Sequence, residues 1–498
     1  MSITIMKKPG NGWQSYSIGA AAILLFVVLL LIRLDVPEKL FKPEQTSDRV
    51  DINAFIGENW LEITQNGQKI GYAHRQLSRK EKGVHFSEDI FMRINTMGIV
   101  QPVELRTSAE LKPDGKITSF RFSLSSNLFQ FTADGTLEER GMVVRTGKDE
   151  TIKVLPLSNP PYLSSGLLEI SAAAGMKPGE GKTFWVFDPA TLSQRPVKIT
   201  FLGNDSLTVM EKEIDAKKLS IDFHGMKQIA WVSADGLVLR EEGILGIALQ
   251  TVAKHDALSG LDGAIGTDLT MTAAIPVSIP IENASTLKTL KVRLHNIPEA
   301  DFQLAGGRQR FLDGLLTVTS EKFLKKDLLS RNGSVNVAEF LQPTPFIQAD
   351  SPKIKKAASE IISPDDSDQA KAEKLVSWVY KTIEKRPVLS VPDALETLEN
   401  MAGDCNEHAV LLAALARAAG LPAEIETGLV YMRGKFFFHA WNVLYIKNSG
   451  GWITADASLG QIPADVTHLR FVRGSLERQA DLAGLIGTLK LDIVGMEK

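Results

Sequence analysis

Cys405 is the only cysteine among the 498 residues, and it sits in Gly403-Asp404-Cys405-Asn406-Glu407-His408 at the predicted mouth of a helix. His439 and Asp456 follow on two predicted strands. A thiol, an imidazole and a carboxylate together can perform acyl transfer. The thiolate attacks a carbonyl carbon, the imidazole moves the proton, and the carboxylate orients the imidazole. An unperturbed thiol titrates at about 8.5. A helix N-terminus and a neighbouring imidazolium are both expected to lower that value, which predicts an activated Cys405. The bland alternative is a small buried hydrophobe, the usual place of a free cysteine. Cys405-x-x-His408 also resembles half a zinc site, but no second Cys/His pair completes it.

These residues need elements to bring them together. In Phe436-Phe437-Phe438-His439-Ala440-Trp441-Asn442-Val443, strand alternation puts His439 and Trp441 on one face and Phe438 and Ala440 on the other. On the next predicted strand Trp452, Thr454 and Asp456 share a face, so adjacent antiparallel strands can carry Asp456 to one ring nitrogen of His439. The other nitrogen then faces Cys405. Residues 371–385 have helical apolar spacing at Ala372, Leu375, Val376, Val379 and Ile383. A short helix is expected over 393–400, capped from Ser390 with Pro392 in its first turn. A longer apolar helix, 407–419, stops at Gly420-Leu421-Pro422. Helix followed by antiparallel strands makes this last domain α+β.

Upstream, residues 51–284 read as short strands separated by turns, forming one large antiparallel sheet curved around a helix near 163–174. Asn66-Gly67 marks a hairpin between Trp60–Thr64 and Ile70–Ala73. Pro113-Asp114-Gly115, Ala133-Asp134-Gly135 and Ala234-Asp235-Gly236 read as further turns, and the last two hint at a repeated unit. A second β segment, opening at Leu290–Leu294, runs to about residue 345. Residues 18–32, IGAAAILLFVVLLLI, lack charge and proline, and with Trp13 and Tyr16 they make a run long enough to span a bilayer. Arg33-Leu34-Asp35-Val36-Pro37 offers no small-residue cleavage site, so an uncleaved anchor is expected, with the bulk on the extracytoplasmic side of the inner membrane. The division is a basic tail (1–12), a transmembrane anchor (13–33), a linker (34–50), a β-rich domain (51–284), a second β segment (285–350), a catalytic domain (351–480) and a C-terminal strand or tail (481–498). The formal net charge of −3 gives no basic excess for nucleic acid, and a lone cysteine rules out an intramolecular disulfide framework.

Roughly from Ser351 to Gly474 the chain resembles the transglutaminase-like superfamily of thiol enzymes. Gly403-Asp404-Cys405, the run Ala414-Leu415-Ala416-Arg417-Ala418-Ala419-Gly420-Leu421-Pro422-Ala423, His439-Ala440-Trp441, Gly451-Trp452 and Asp456 carry the resemblance. It implies a papain-like site with Cys405 as nucleophile, His439 as base and acid, and Asp456 as the orienting carboxylate. It implies no metal requirement, and no cofactor is expected. Ser390–Leu395 and Gly460–Asp465 look like bacterial membrane-anchored members. Two departures are Glu424, where arginine is common, and Ala457-Ser458, where Pro-Thr commonly follows the aspartate; both bear on how the Asp456 loop is held. Trp441 and His408 are candidates for supporting the site. Asn400 or Gln461 is the expected second oxyanion donor beside the Cys405 N–H. The expected activity is attack on a carboxamide or peptide bond of a protein or peptide substrate through a thioester, ending in hydrolysis or transamidation. A catalytically silent peptide-binding scaffold, or an envelope carrier using the β-rich domain, are the alternatives.

Overall fold

A computed structural model describes residues 56–498, apart from 82, 148–150, 165, 174, 224, 262, 264, 324–336 and 448–450. The expected anchor at 13–33 and its linker lie outside the described residues. Among the described residues no helix is long and apolar enough to cross a membrane.

The N-terminal half is one sheet of fifteen strands. Strand Gly57–Gln65 lies in its middle, paired antiparallel with Gln68–Lys80 on one side and Ile247–Thr251 on the other. Pairing runs outward to Thr151–Leu155 at one edge and Tyr162–Leu163 at the other. The central hairpin closes through Asn66 and Gly67, both at positive φ (50° and 79°), as a two-residue turn requires. Leu61, Ile63, Ala73, Phe86, Phe120 and Phe187 line a shared core, into which helix Leu167–Ala173 inserts Leu167 and Ile170. Ala133-Asp134-Gly135 is not a turn: it lies within strand Gln130–Glu138, whereas Ala234-Asp235-Gly236 does turn the chain. The expected repeat therefore has no structural counterpart. Gly135 is small for another reason, since a Cβ there would stand 2.1 Å from the Phe120 ring.

Inside this core, Arg75 bonds Glu88 (2.5 Å) and Glu241 (2.6 Å). Glu169, from the inserted helix, is the third carboxylate of the cluster. Burial, only partly offset by Arg75, pushes its carboxyl up to about 7.

The second β segment supplies Thr289–His295, Gln309–Leu312 and Leu315–Thr319, and the C-terminal strand Lys490–Glu497 completes their sheet by pairing with Thr289–His295. In the α+β part, helices Pro352–Ile361, Asp368–Thr382 and Ala394–Asn400 pack around helix Cys405–Ala418. That last helix is buried from Glu407 to Ala416; its alanines at 409, 413, 414 and 416 let helices and sheet approach closely. It lies on a sheet ordered Ile275–Pro276, Lys435–Ile446, Ala423–Met432, Leu469–Arg473, with Gly451–Ala455 also paired to Lys435–Ile446.

Helix Ala394–Asn400 is capped by Asp393, whose carboxylate accepts from Glu396 N, and not by Ser390. Ser390 is spent on Glu407. The helical part is also tied to the large sheet. Asn400 donates to the Leu128 carbonyl (2.9 Å), Glu396 accepts from Gln130 N (2.8 Å), and Phe346 packs on Phe131 with ring centroids 6.1 Å apart.

Candidate active site

Cys405 is the first residue of its helix because Asp404 and Glu407 build a capping box ahead of it. The Asp404 carboxylate accepts from Asn406 N (2.8 Å), and Glu407 reaches back to accept from Asp404 N (2.9 Å). Ser390 donates to the other Glu407 oxygen at 2.5 Å. Glu407 can fold back only because residue 403 is glycine: a Cβ there would meet Glu407 Cβ at 2.3 Å. The N–H of Cys405 is one of the helix-start amides that lack an i−4 carbonyl, so it is a ready donor to a developing oxyanion.

The half-buried Cys405 thiol lies against the backbone N–H of Ala440, the residue after His439. Burial pushes the thiol well above its ordinary range and the Asp404 carboxyl adds to that; the Ala440 N–H pulls the other way, by more than Glu407 pushes up. The expected lowering by the helix start is thus overridden by desolvation and two carboxyls.

Strand Lys435–Ile446 puts His439 and Trp441 on one face, their rings 6.2 Å apart and near parallel. Pairing of Asn442 with Ala455 continues to set Asp456 opposite Trp441 and diagonal to His439. His439 Nε2 and Asp456 Oδ2 are 2.7 Å apart, both groups buried. The carboxylate accepts there, so Nε2 carries a hydrogen. The other carboxylate oxygen, Oδ1, accepts from Ser458 N (2.8 Å), Ser458 Oγ (2.7 Å) and Leu459 N (3.0 Å). The serine at the departure from Pro-Thr is therefore what holds the Asp456 loop. Although burial pushes Asp456 up, His439 and His468 outweigh it and hold the carboxyl well below the usual range.

The supporting candidates divide. Trp441 is fully buried and donates its indole N–H to Glu426 (2.9 Å); Glu426 is matched by Arg473 (2.5 Å) and Arg470 (3.3 Å). Glu424, the other departure, lies at the edge of this cluster, 4.0 Å from Arg473. His408 donates from Nδ1 to the Asp404 carbonyl (2.6 Å), so its ring braces the first helical turn; burial lowers its pKa. Neither expected oxyanion amide is presented to the thiol. The Asn400 amide is bound to Leu128. The Gln461 amide donates to Asp465 Oδ2 (3.0 Å) and its oxygen accepts from Asp465 N (2.9 Å).

One member was not anticipated. His468 is fully buried with Nε2 3.0 Å from the same Asp456 Oδ2 that His439 uses. Its only sequence signal is a histidine twelve residues after Asp456, beyond any strand or helix period. A tetrahedral metal site with bonds of about 2.0–2.1 Å would hold its ligands roughly 3.3 Å apart. Contacts of 2.7 and 3.0 Å are the lengths of hydrogen bonds instead.

The family model of the transglutaminase-like superfamily matches residues 355–457. A Haemophilus influenzae protein without a described function is 32% identical over 112 residues, 21% of this chain and 30% of its own length. The match thus spans under a third of that relative. Among solved structures, a candidate cysteine protease from Cytophaga hutchinsonii is 19% identical over 42% of this chain and 86% of its own, with a TM-score of 0.29. The periplasmic domain of TgpA from Pseudomonas aeruginosa is 18% identical over 37% of this chain and 70% of its own (TM-score 0.21). A β-barrel-like protein of the DUF1849 domain from Brucella abortus is 13% identical over 39% and 94% (TM-score 0.31). Residues 355–457, which hold the thiol, the histidine and the carboxylate just described, belong to the transglutaminase-like superfamily.

Proposed function

We propose that the chain is a cysteine acyl-transfer enzyme, anchored to the inner membrane through residues 13–33, with its bulk on the periplasmic side. The observation that supports it most is the His439–Asp456 bond of 2.7 Å, made from the strand whose next residue, Ala440, turns its backbone N–H to the helix-start Cys405. In this reading the S–H proton passes to Nδ1 as sulfur attacks the carbonyl carbon of a carboxamide or peptide. The tetrahedral oxyanion takes the Cys405 N–H, and the C–N bond breaks as the imidazolium returns the proton to the leaving nitrogen. The thioester that remains is released to water, which gives hydrolysis, or to an amine, which gives transamidation. In this reading the imidazole acts as base within the attack itself.

The test is capture of Cys405 by iodoacetamide as a function of pH in the full chain, wild type against His439→Ala. Faster capture in the wild type at neutral pH, lost in the variant, supports the reading. Superimposable profiles would sink it and leave a peptide-binding scaffold.

A further inference from the structure

His468 occupies a position that dictates its own charge. Its Nε2 faces Asp456 Oδ2 at 3.0 Å; its Nδ1 faces Asp465 Oδ1 at 3.4 Å and the Asp465 carbonyl at 3.3 Å. Every one of these oxygens is an acceptor. A neutral ring carries one N–H, and its other nitrogen would point a lone pair at an acceptor; only a ring protonated on both nitrogens suits both sides. Burial opposes that charge, but the two aspartates prevail and hold the ring above the ordinary histidine range. Asp465 is held low in turn, burial being outweighed by His468 and Thr467.

The surroundings are consistent with a fixed cation. Asp456 and Asp465 face the ring from its own loop, and His439 stands 6.1 Å away between ring centroids on strand Lys435–Ile446. Trp441 meets the ring edge-on at 5.1 Å, and behind it Glu426 is already matched by Arg470 and Arg473. Arg308, from the small sheet, donates to the His468 and Ala464 carbonyls, which holds the loop down from outside.

We propose that His468 is a positioning residue: a buried imidazolium bridging Asp456 and Asp465 that clamps the carboxylate on which His439 depends. This rests on the acyl-transfer reading above. With two N–H donors on Oδ2 and three donors on Oδ1, Asp456 has no capacity left to take a proton. The proton gained by His439 from the thiol therefore stays on the imidazole, where the leaving nitrogen can collect it.

The experiment uses the full chain labelled with 15N-histidine. Long-range proton–nitrogen correlations read the protonation of His468 from about pH 5.5 to 8.5, and iodoacetamide capture of Cys405 is followed over the same range. His468 is expected to keep both protons throughout in the wild type. Asp465→Asn removes one counter-charge, so His468 should lose a proton within the range, and the capture rate should break at the same pH. His468→Gln, which keeps one N–H donor without the charge, should slow capture about tenfold or more, the scale of one hydrogen bond to a charged group. A singly protonated His468 in the wild type near pH 6 would overturn the proposal. So would Asp465→Asn and His468→Gln profiles that overlay the wild type. If His439→Ala leaves capture unchanged while His468 is doubly protonated, the acyl-transfer reading itself has failed and the positioning role falls with it.

Discussion

Gly403→Ala tests how the thiol is delivered to its helix start. The new methyl would stand 2.3 Å from Glu407 Cβ and 2.7 Å from Cγ, against an ordinary carbon–carbon contact of about 3.5–4.0 Å. Glu407 Cβ is fixed to the helix, so relief requires the first turn to shift by roughly 1 Å. That shift breaks the Glu407–Asp404 N contact of the capping box and the Ser390–Glu407 bond together. A lost cap costs about 0.5–2 kcal/mol and a lost hydrogen bond to a buried charge about 1.5–3 kcal/mol. Because one displacement breaks both, the terms overlap, and roughly 3 kcal/mol is expected. On a unit that unfolds together with the large sheet, that lowers Tm by roughly 3 °C, measured by calorimetry, with slower alkylation of Cys405 alongside. The double variant Gly403→Ala/Glu407→Ala should still be less stable than Glu407→Ala alone, since alanine keeps the Cβ that the new methyl meets at 2.3 Å. A Gly403→Ala protein within about 0.5 kcal/mol of wild type, with normal alkylation, would refute the argument.

Three further outcomes follow from the site and the core. Asp456→Asn should cut turnover by about 10²–10⁴-fold by releasing the His439 tautomer. Because Asp456 is held below its unfolded value, its stabilising contacts are complete above about pH 4 and vanish only as pH falls through the folded value. The Asn variant should therefore lose similar stability at pH 5 and pH 7 by denaturant titration. Glu169 is shifted the opposite way: folded Glu169 holds its proton up to about 7, so stability should decline as pH rises from about 4.5 to about 7, by ~3 kcal/mol if the shift is fully expressed. Glu169→Gln should flatten that decline in a Tm-versus-pH series; an unchanged slope would place it elsewhere. Trp441→Phe keeps the ring beside His439 but strips Glu426 of its indole donor, and should cost about 1–3 kcal/mol in urea unfolding.

What was legible in the sequence was local. The apolar run 407–419, stopped at Gly420-Leu421-Pro422, announces a helix with Cys405 at its mouth, two-residue alternation puts His439 and Trp441 on one face, and Asn66-Gly67 announces a hairpin. Each signal lies within one element or one turn, where the physics is also local. Gly135 misled because a glycine needed for a turn and one needed beneath an aromatic ring look alike without knowledge of the neighbouring strand. His468 was invisible for a related reason. Its loop is fixed by Arg308 from another sheet, 160 residues away along the chain, and no periodicity spans that gap. The upward push on the Cys405 thiol could not be read from the motif, because burial and the Asp404 and Glu407 carboxyls depend on how the chain packs around the helix start.

The contact between helix Ala394–Asn400 and the strand beginning at Gln130 bears on how this protein can be dissected. Val391 belongs by sequence to the catalytic part and Phe346 to the segment just before it, yet both are buried in the core of the large sheet. A fragment cut near residue 351 would strand Val391 in water, leave the cap of strand Gln130–Glu138 behind, and unseat the helix that precedes the thiol. Protease nicking between the halves is accordingly expected to give two pieces that stay associated and soluble together, while either expressed alone aggregates. The fifteen-stranded sheet in that sense anchors the helices that precede the thiol, and an engineered transplant of the thiol site would have to carry it along.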